Sequence, residues 1–281
     1  MGATPRYAIK TPPEHTGWAE LLAFWQAADQ LDVFESAWNW DHFYPLSPPY
    51  DGPNLEGWTM LAALAQATTR LRIGAMVNGM HHRHPAVTAN MAATLDHISG
   101  GRFVLGLGAG WNEMESNAYG IRLGSLRERF DRFDEGLAVI RALLDQRETT
   151  FHGNHFEITA AWCEPKPVQA QLPIVVGGKG PKRTLRAAAR WADQWDMTMP
   201  ASPDAWRALD TVLREHCAAL GREHTEITRS IHLRLAPDDD LAARSDTAAG
   251  FFAAGVDVVV WSVTGAPTLA RLDALAQALT R

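Results

Sequence analysis

The chain has 281 residues, 46% of them hydrophobic and 21% charged, with a formal net charge of −6. That supplies a sizeable core, and the negative balance argues against a nucleic-acid surface while allowing a local basic pocket. No apolar run approaches the ~20 residues that span a bilayer, and Met1-Gly2-Ala3-Thr4-Pro5-Arg6 lacks the apolar core of a signal peptide. With two cysteines, Cys163 and Cys217, no disulfide framework is expected, and the chain reads as cytoplasmic, with neither membrane nor nucleic acid as partner.

Tyr7 to Lys10 reads as a first strand, and Gly17 to Leu31 as a helix striped with Leu21, Leu22, Trp25 and Ala28. Val33 to Trp40 is a second strand with Asp41-His42-Phe43-Tyr44-Pro45 at its C-terminal end. Trp58 to Thr69 returns to helical spacing, Leu71 to Val77 is a third strand, and Pro85 opens a helix to Ile98. Ser99-Gly100-Gly101 gives that helix a left-handed exit, and Phe103 to Leu107 is a short, wholly apolar strand. Arg127 to Leu144 is the clearest amphipathic helix, with Phe130, Phe133, Leu137, Ile140 and Leu144 at three-and-four spacing. Thr149 to Thr159, around Gly153-Asn154, reads as a hairpin outside the main pattern.

Strands at Leu172–Val176, Gln194–Thr198, Ile227–Leu235 and Val256–Ser262 then alternate with helices at Pro181–Ala192, Pro203–Leu220, Ser245–Ala254 and Pro267–Leu279. Alternation of this kind demands a parallel sheet. Eight repeats without a composition break predict one α/β domain over 1–281, a closed (β/α)8 TIM barrel with a hairpin insertion. An open doubly wound sheet is the alternative.

In such a barrel the site is built at the C-terminal ends of the strands, and four clusters fall there. Asp41 and His42 beside Trp38 and Trp40 offer a proton carrier with a neighbouring carboxylate. Adjacent residues on an extended chain face opposite ways, so Asp41 is equally a support for the loop. Met76 to His84 contains His81, His82 and His84, but no carboxylate or cysteine at short range joins them, so no metal is expected. Gly106, Gly108 and Gly110 leave one strand face bare, either for close packing or for a flat ring or phosphate, and Trp111, Asn112 and Glu113 follow. The spacing excludes the dinucleotide fingerprint, because Trp111 and Glu113 stand where its third glycine belongs, and no Gly-Lys-Ser/Thr follows. Gly177-Gly178-Lys179-Gly180 with Lys182 and Arg183 offers free N–H groups, a helix start and three cations, an anion site by simple electrostatics.

Ser99-Gly100-Gly101-Arg102 followed by Gly-Leu-Gly-Ala-Gly-Trp-Asn-Glu resembles the bacterial-luciferase-like flavin oxidoreductases, most nearly the branch using the deazaflavin coenzyme F420. From about Arg6 onward the likeness also takes in Trp40-Asp41-His42-Phe43, His84-Pro85-Ala86, Glu164-Pro165-Lys166-Pro167 and Val176-Gly177-Gly178-Lys179-Gly180. The resemblance implies a TIM barrel that transfers a hydride between the deazaflavin ring and a small organic substrate. It implies His42 as the proton carrier, with Asp41 and Glu113 as further acid–base candidates. Trp40, Met76, Val77, Asn78, Ala109, Gly110 and Trp111 would border the ring, with a non-proline cis peptide at Met76–Val77. Gly177, Gly178, Lys179, Gly180, Lys182 and Arg183 would hold the cofactor phosphate. Sugar-phosphate dehydrogenases of the family carry a glutamate where Trp111 stands, which argues against glucose 6-phosphate.

Dimers recur in the family, so a homodimer is the assembly implied. The alternative is an FMN-dependent monooxygenase fed by a flavin reductase. Less favoured are a non-catalytic flavin or deazaflavin carrier and a metal-dependent hydrolase.

Overall fold

The structure, a computed structural model, describes residues 5–280. Most of the stretch read for a signal peptide, residues 1–4, lies outside them. In chain order the elements begin β1 (Arg6–Lys10), α1 (Trp18–Asp29), β2 (Phe34–Asn39), α2 (Gly57–Ala67), β3 (Arg72–Ala75), β4 (Asn78–Gly79), α3 (Pro85–Ser99) and β5 (Leu105–Gly108). They continue with α4 (Glu113–Ala118), α5 (Leu126–Asp145), β6 (Thr149–His152), β7 (Glu157–Ala161), β8 (Ile174–Gly177), α6 (Thr184–Trp191) and β9 (Gln194–Thr198). The last are α7 (Pro203–Ala219), β10 (Thr228–Leu235), α8 (Leu241–Ala254), β11 (Val258–Val263) and α9 (Leu269–Leu279).

Nine parallel segments hydrogen-bond in the order β3-β2-β1-β11-β10-β9-β8-β5-β4. β3 and β4 are two pieces of one strand, interrupted at Met76–Val77, where the peptide is cis. Ile73 bridges Phe103 while β4 pairs with β5, so the two ends of the row meet. The result is the expected eight-stranded barrel. β6 and β7 pair antiparallel as a separate hairpin.

Alternation of side chains across each strand sorts the residues into two cores. Outward apolar residues pack under the helices; on α5, Phe133, Leu137, Ile140 and Leu144 are buried and Phe130 is half-buried. Inside the barrel, Ala8, Trp38, Met76, Val104, Val175, Val258 and Val260 close the bottom, with Val77 against them.

Val77 also accounts for two of the bare glycine positions, whereas Gly106 faces the Ala75 carbonyl and Gly110 the His81 ring. A Cβ on Gly108 or on Gly177 would lie 2.8 Å from a Val77 methyl group, tighter than van der Waals packing allows. Gly100 ends α3 in the left-handed region at φ 64°, the exit its sequence calls for.

Several elements differ from expectation; α6, for one, starts at Thr184 instead of Pro181. The third strand stops as β3 at Ala75 and resumes as β4. α8 starts at Leu241 instead of Ser245, because the Asp240 side chain accepts from the N–H groups of Ala242 and Ala243. α4 was not anticipated; Asn112 nucleates it by accepting from the N–H of Glu115.

Candidate active site

A cavity of about 820 Å³ opens at the C-terminal end of the barrel. Trp40, His42, Met76, Val77, Asn78 and Gly108 to Trp111 line one side, and Gly177, Gly178 and Thr184 continue it. Lys10, Asp196, Thr198, His232, Arg234 and Ser262 line the other.

His42 sits where β2 gives way to its loop, its main-chain carbonyl held by Asn54 Nδ2 at 2.7 Å. Its ring stands edge-on to Trp40 and Trp111, with centroids 5.7 and 5.5 Å away. Nδ1 lies 2.8 Å from Glu115 Oε2 on α4. Glu115 is fully buried and also accepts from the Phe43 N–H. Burial alone would raise its pKa. The hydrogen bond and charge of His42, then the Phe43 N–H and His82, outweigh burial and hold it below the usual carboxylate range. An ionised carboxylate at that distance accepts a hydrogen bond from Nδ1–H, which leaves Nε2 as the nitrogen turned to the cavity.

The carboxylate that reaches His42 is therefore neither Asp41 nor Glu113. Asp41, 1% exposed, points the other way: Arg83 Nη1 donates to both its oxygens, at 2.9 and 2.7 Å, and His82 Nδ1 lies 3.0 Å away. Burial opposes its ionisation, but His82 and Arg83 keep its pKa depressed. Glu113 is exposed in the first turn of α4 and does not border the cavity. Residues two apart on a helix face different sides, so Glu115 turns inward where Glu113 turns out.

The three neighbouring histidines diverge. His82 serves Asp41, and His84 caps α3 through Nδ1. His81 Nε2 meets Ser116 Oγ at 3.2 Å. Burial, helped by His82, pushes His81 down to about 3, so it is neutral. Among the described residues no group of three or more His, Cys, Asp or Glu is placed to hold a metal.

In the loop after β8, Gly178 adopts φ 126°, a conformation open to glycine, and its N–H donates to Asp196 O at 2.9 Å. The N–H groups of Lys179 and Gly180 find no protein acceptor among the described residues. Thr184 borders the cavity, whereas Lys179, Gly180, Lys182 and Arg183 do not. Lys179 and Lys182 are exposed. The Arg183 guanidinium turns to α5, with Nη2 at 2.8 Å from Asp131 and 2.9 Å from Asp134.

Sequence reasoning missed Lys10, Asp196 and His232. His232 Nδ1 lies 2.6 Å from Asp196 Oδ2, and Ser230 Oγ donates to Asp196 Oδ1 at 2.8 Å. Burial, then the Lys10 charge, lowers the pKa of His232 and keeps it neutral, with Nδ1–H donating and Nε2 an acceptor. Burial also pulls Lys10 down to about 8, against the attraction of Asp196. The local signal that could have found this wall is Lys10, a charged side chain at the end of a barrel strand; Asp196 and His232 lie inside β9 and β10.

Comparison with known proteins agrees with this architecture. Uncharacterized proteins of Mycobacterium bovis and Mycobacterium tuberculosis are 32% identical over 184 residues, 66% of this chain and 64% of their own length. An F420-dependent glucose-6-phosphate dehydrogenase of Kineococcus radiotolerans is 33% identical over 243 residues, covering 86% of this chain and 71% of that one. An F420-dependent secondary alcohol dehydrogenase, solved with an F420-acetone adduct, superposes with a TM-score of 0.80 at 20% identity, over 94% of this chain and 95% of that one. That structural match establishes the fold alone. The profile of the luciferase-like monooxygenases matches residues 4–279, and the chain belongs to that family.

Proposed function

We propose that this chain is an oxidoreductase that uses the deazaflavin coenzyme F420 to move a hydride to or from a small organic substrate. The observation that carries the proposal is the anchored imidazole. His42 has Nδ1 fixed by a buried, ionised Glu115 and Nε2 facing a cavity large enough for a ring and a small molecule. Kinship with the F420-dependent dehydrogenase of Kineococcus radiotolerans supports the choice of coenzyme.

The residues fit that group. Past Gly178 and Thr184, which line the cavity, the N–H groups of Lys179 and Gly180 have no protein acceptor among the described residues and would donate to a phosphate reaching beyond that lining. Asn78 Oδ1 and Trp40 Nε1 are buried polar atoms without a partner among the described residues, on side chains that line the cavity. The coenzyme, when bound, supplies the carbon that gives or takes the hydride. Val77 and the backbone from Gly108 to Gly110 would support its ring, and Trp40 and Trp111 shield the imidazole from water. His42 Nε2 gives or takes the proton that accompanies the hydride, while Glu115 stabilises the imidazolium form.

Equilibrium titration of the purified protein with F420 and with FMN tests this reading. F420 is expected to bind at least about tenfold more tightly, a difference of ~1.4 kcal/mol. The bound reduced coenzyme should then be oxidised in a single turnover by a surrogate enone. Tighter binding of FMN would replace F420 with the flavin, and failure to bind either would end the proposal.

A further inference from the structure

The pair at the mouth accounts for His42 and Glu115 but leaves the opposite wall of the cavity without a task. Lys10 follows Ala8 at the next inward position of β1, above the valines that close the barrel bottom. It is 6% exposed and lines the cavity, yet among the described residues no acceptor stands within hydrogen-bond or ion-pair reach of its Nζ. The groups acting on it are the Trp40 ring, 5.8 Å from Nζ, and the charge of Asp196 from beyond ion-pair reach. Asp196 is itself engaged by His232 and Ser230.

The strand register extends the feature. Lys10 is level with Ser262 on β11, and Ser262 is level with Arg234 on β10. Neighbouring strands lie ~4.8 Å apart, so the three side chains stand in a row on the inner face at the open end of the barrel. Arg234 donates only through Nε, to Thr264 Oγ1 at 3.4 Å, which leaves its Nη groups without a protein partner among the described residues. Two cations thus flank a hydroxyl, with Asp196 the one carboxylate bordering this wall. A buried ammonium with no counter-charge in contact is unfavourable by itself, and burial already draws it toward its neutral form.

We infer that Lys10, Ser262 and Arg234 form a subsite for an oxyanion group of the substrate, a carboxylate or a phosphate. The inference rests on the reading of the cavity as an oxidoreductase site, since the group held here belongs to the molecule that His42 serves. Lys10 Nζ and the His42 ring both lie against the Trp40 indole, at 5.8 and 5.7 Å, so one compact molecule reaches both. Its charged end is recognised on the strands, and its reacting end lies at the loops.

Three probes of one shape test the subsite: benzoate, phenyl phosphate and neutral benzamide, titrated calorimetrically into the protein with and without F420. At least one anion should bind about tenfold or more tightly than benzamide, as expected of charge-assisted hydrogen bonds. Preference for benzoate identifies a carboxylate, and preference for phenyl phosphate a phosphate. Lys10→Met should bring the preference to within about threefold, and Arg234→Met should weaken it several-fold. Arg234 is exposed, so that variant decides the matter even if Lys10→Met does not fold. No anion preference in the wild type, or an unchanged preference in both variants, overturns the subsite. Intact anion preference in a protein that binds neither F420 nor FMN would sink the oxidoreductase reading and leave the subsite standing.

Discussion

His42 and His232 face the same cavity with the same backing. Each turns Nδ1 to a buried carboxylate, at 2.8 Å for Glu115 and 2.6 Å for Asp196, and each presents Nε2 to the open space. Their other neighbours differ. His232 is fixed in the middle of β10, and burial together with the Lys10 ammonium keeps it neutral. His42 stands on a loop between two indole edges, half-buried, with an anion behind it and no cation among its ring contacts. A carboxylate behind an imidazole sets its tautomer in both places. Whether the ring can also take up charge is decided by what stands beside it and by access to water.

The largest test of that difference is His42→Gln, which keeps approximate size and hydrogen bonding but cannot carry a proton. Turnover should fall ~10²–10⁴-fold, with cofactor affinity unchanged within a few fold in a fluorescence titration. Weak cofactor binding with normal turnover at saturation would instead make His42 a ligand of the ring.

Lys10 supplies the next effect, through stability. Its folded pKa, about 8, lies below its ordinary 10.5, so the unfolded chain binds the extra proton between those values and stability rises with pH through that window. The penalty is fully present below about pH 8. Lys10→Met should therefore stabilise the protein at pH 7 by about 3 kcal/mol, with the gain gone by about pH 10.5. Denaturant melts of both proteins at pH 7 and 10.5 give the comparison, and a destabilised variant at pH 7 would contradict the assignment of Lys10 as an uncompensated charge.

Gly178→Asp should separate cofactor binding from both histidines. It puts a side chain and a negative charge at φ 126° in the loop after β8, and F420 affinity should drop more than about tenfold. Unchanged affinity would remove the loop from the cofactor site.

The smallest effect is expected from His232→Asn. If a neutral acceptor is all this position supplies, turnover at saturation should change less than about threefold, and any loss should appear in KM. A hundredfold fall in turnover would show that both histidines carry protons.

The barrel was legible because strands carrying apolar residues alternate with helices of amphipathic spacing, a local pattern that closure does not alter. His42 was singled out by the resemblance of its Asp-His-Phe stretch, since its place at the end of β2 alone fits a structural histidine as well. Glu115 was not, because it meets His42 across 73 positions and faces inward only through the short helix that Asn112 caps. Glu113, the acid the sequence offered past the glycines, is turned to solvent by the same helix. Lys10, Asp196 and His232 were hidden for another reason. Each lies within a strand read for its apolar residues, and only the pairing of β1 with β11, β11 with β10 and β10 with β9 brings them to one wall. The cations after Gly178 showed the opposite failing: they are close in sequence, yet Arg183 is taken by Asp131 and Asp134.

The side chain of Val77 carries a consequence for how this barrel can vary. Gly108 and Gly177 lie on different strands, and a methyl group added at either would meet a different branch of the same isopropyl group, Cγ2 or Cγ1, at 2.8 Å. The three positions therefore form one unit of inheritance, since alanine at either glycine is harmful until residue 77 shrinks. A double-mutant cycle of Gly108→Ala with Val77→Ala should be strongly non-additive, the pair being milder than the glycine change alone. Drift at this seam has to be concerted, and at these two positions a glycine that looks like the imprint of a ligand is the imprint of a valine.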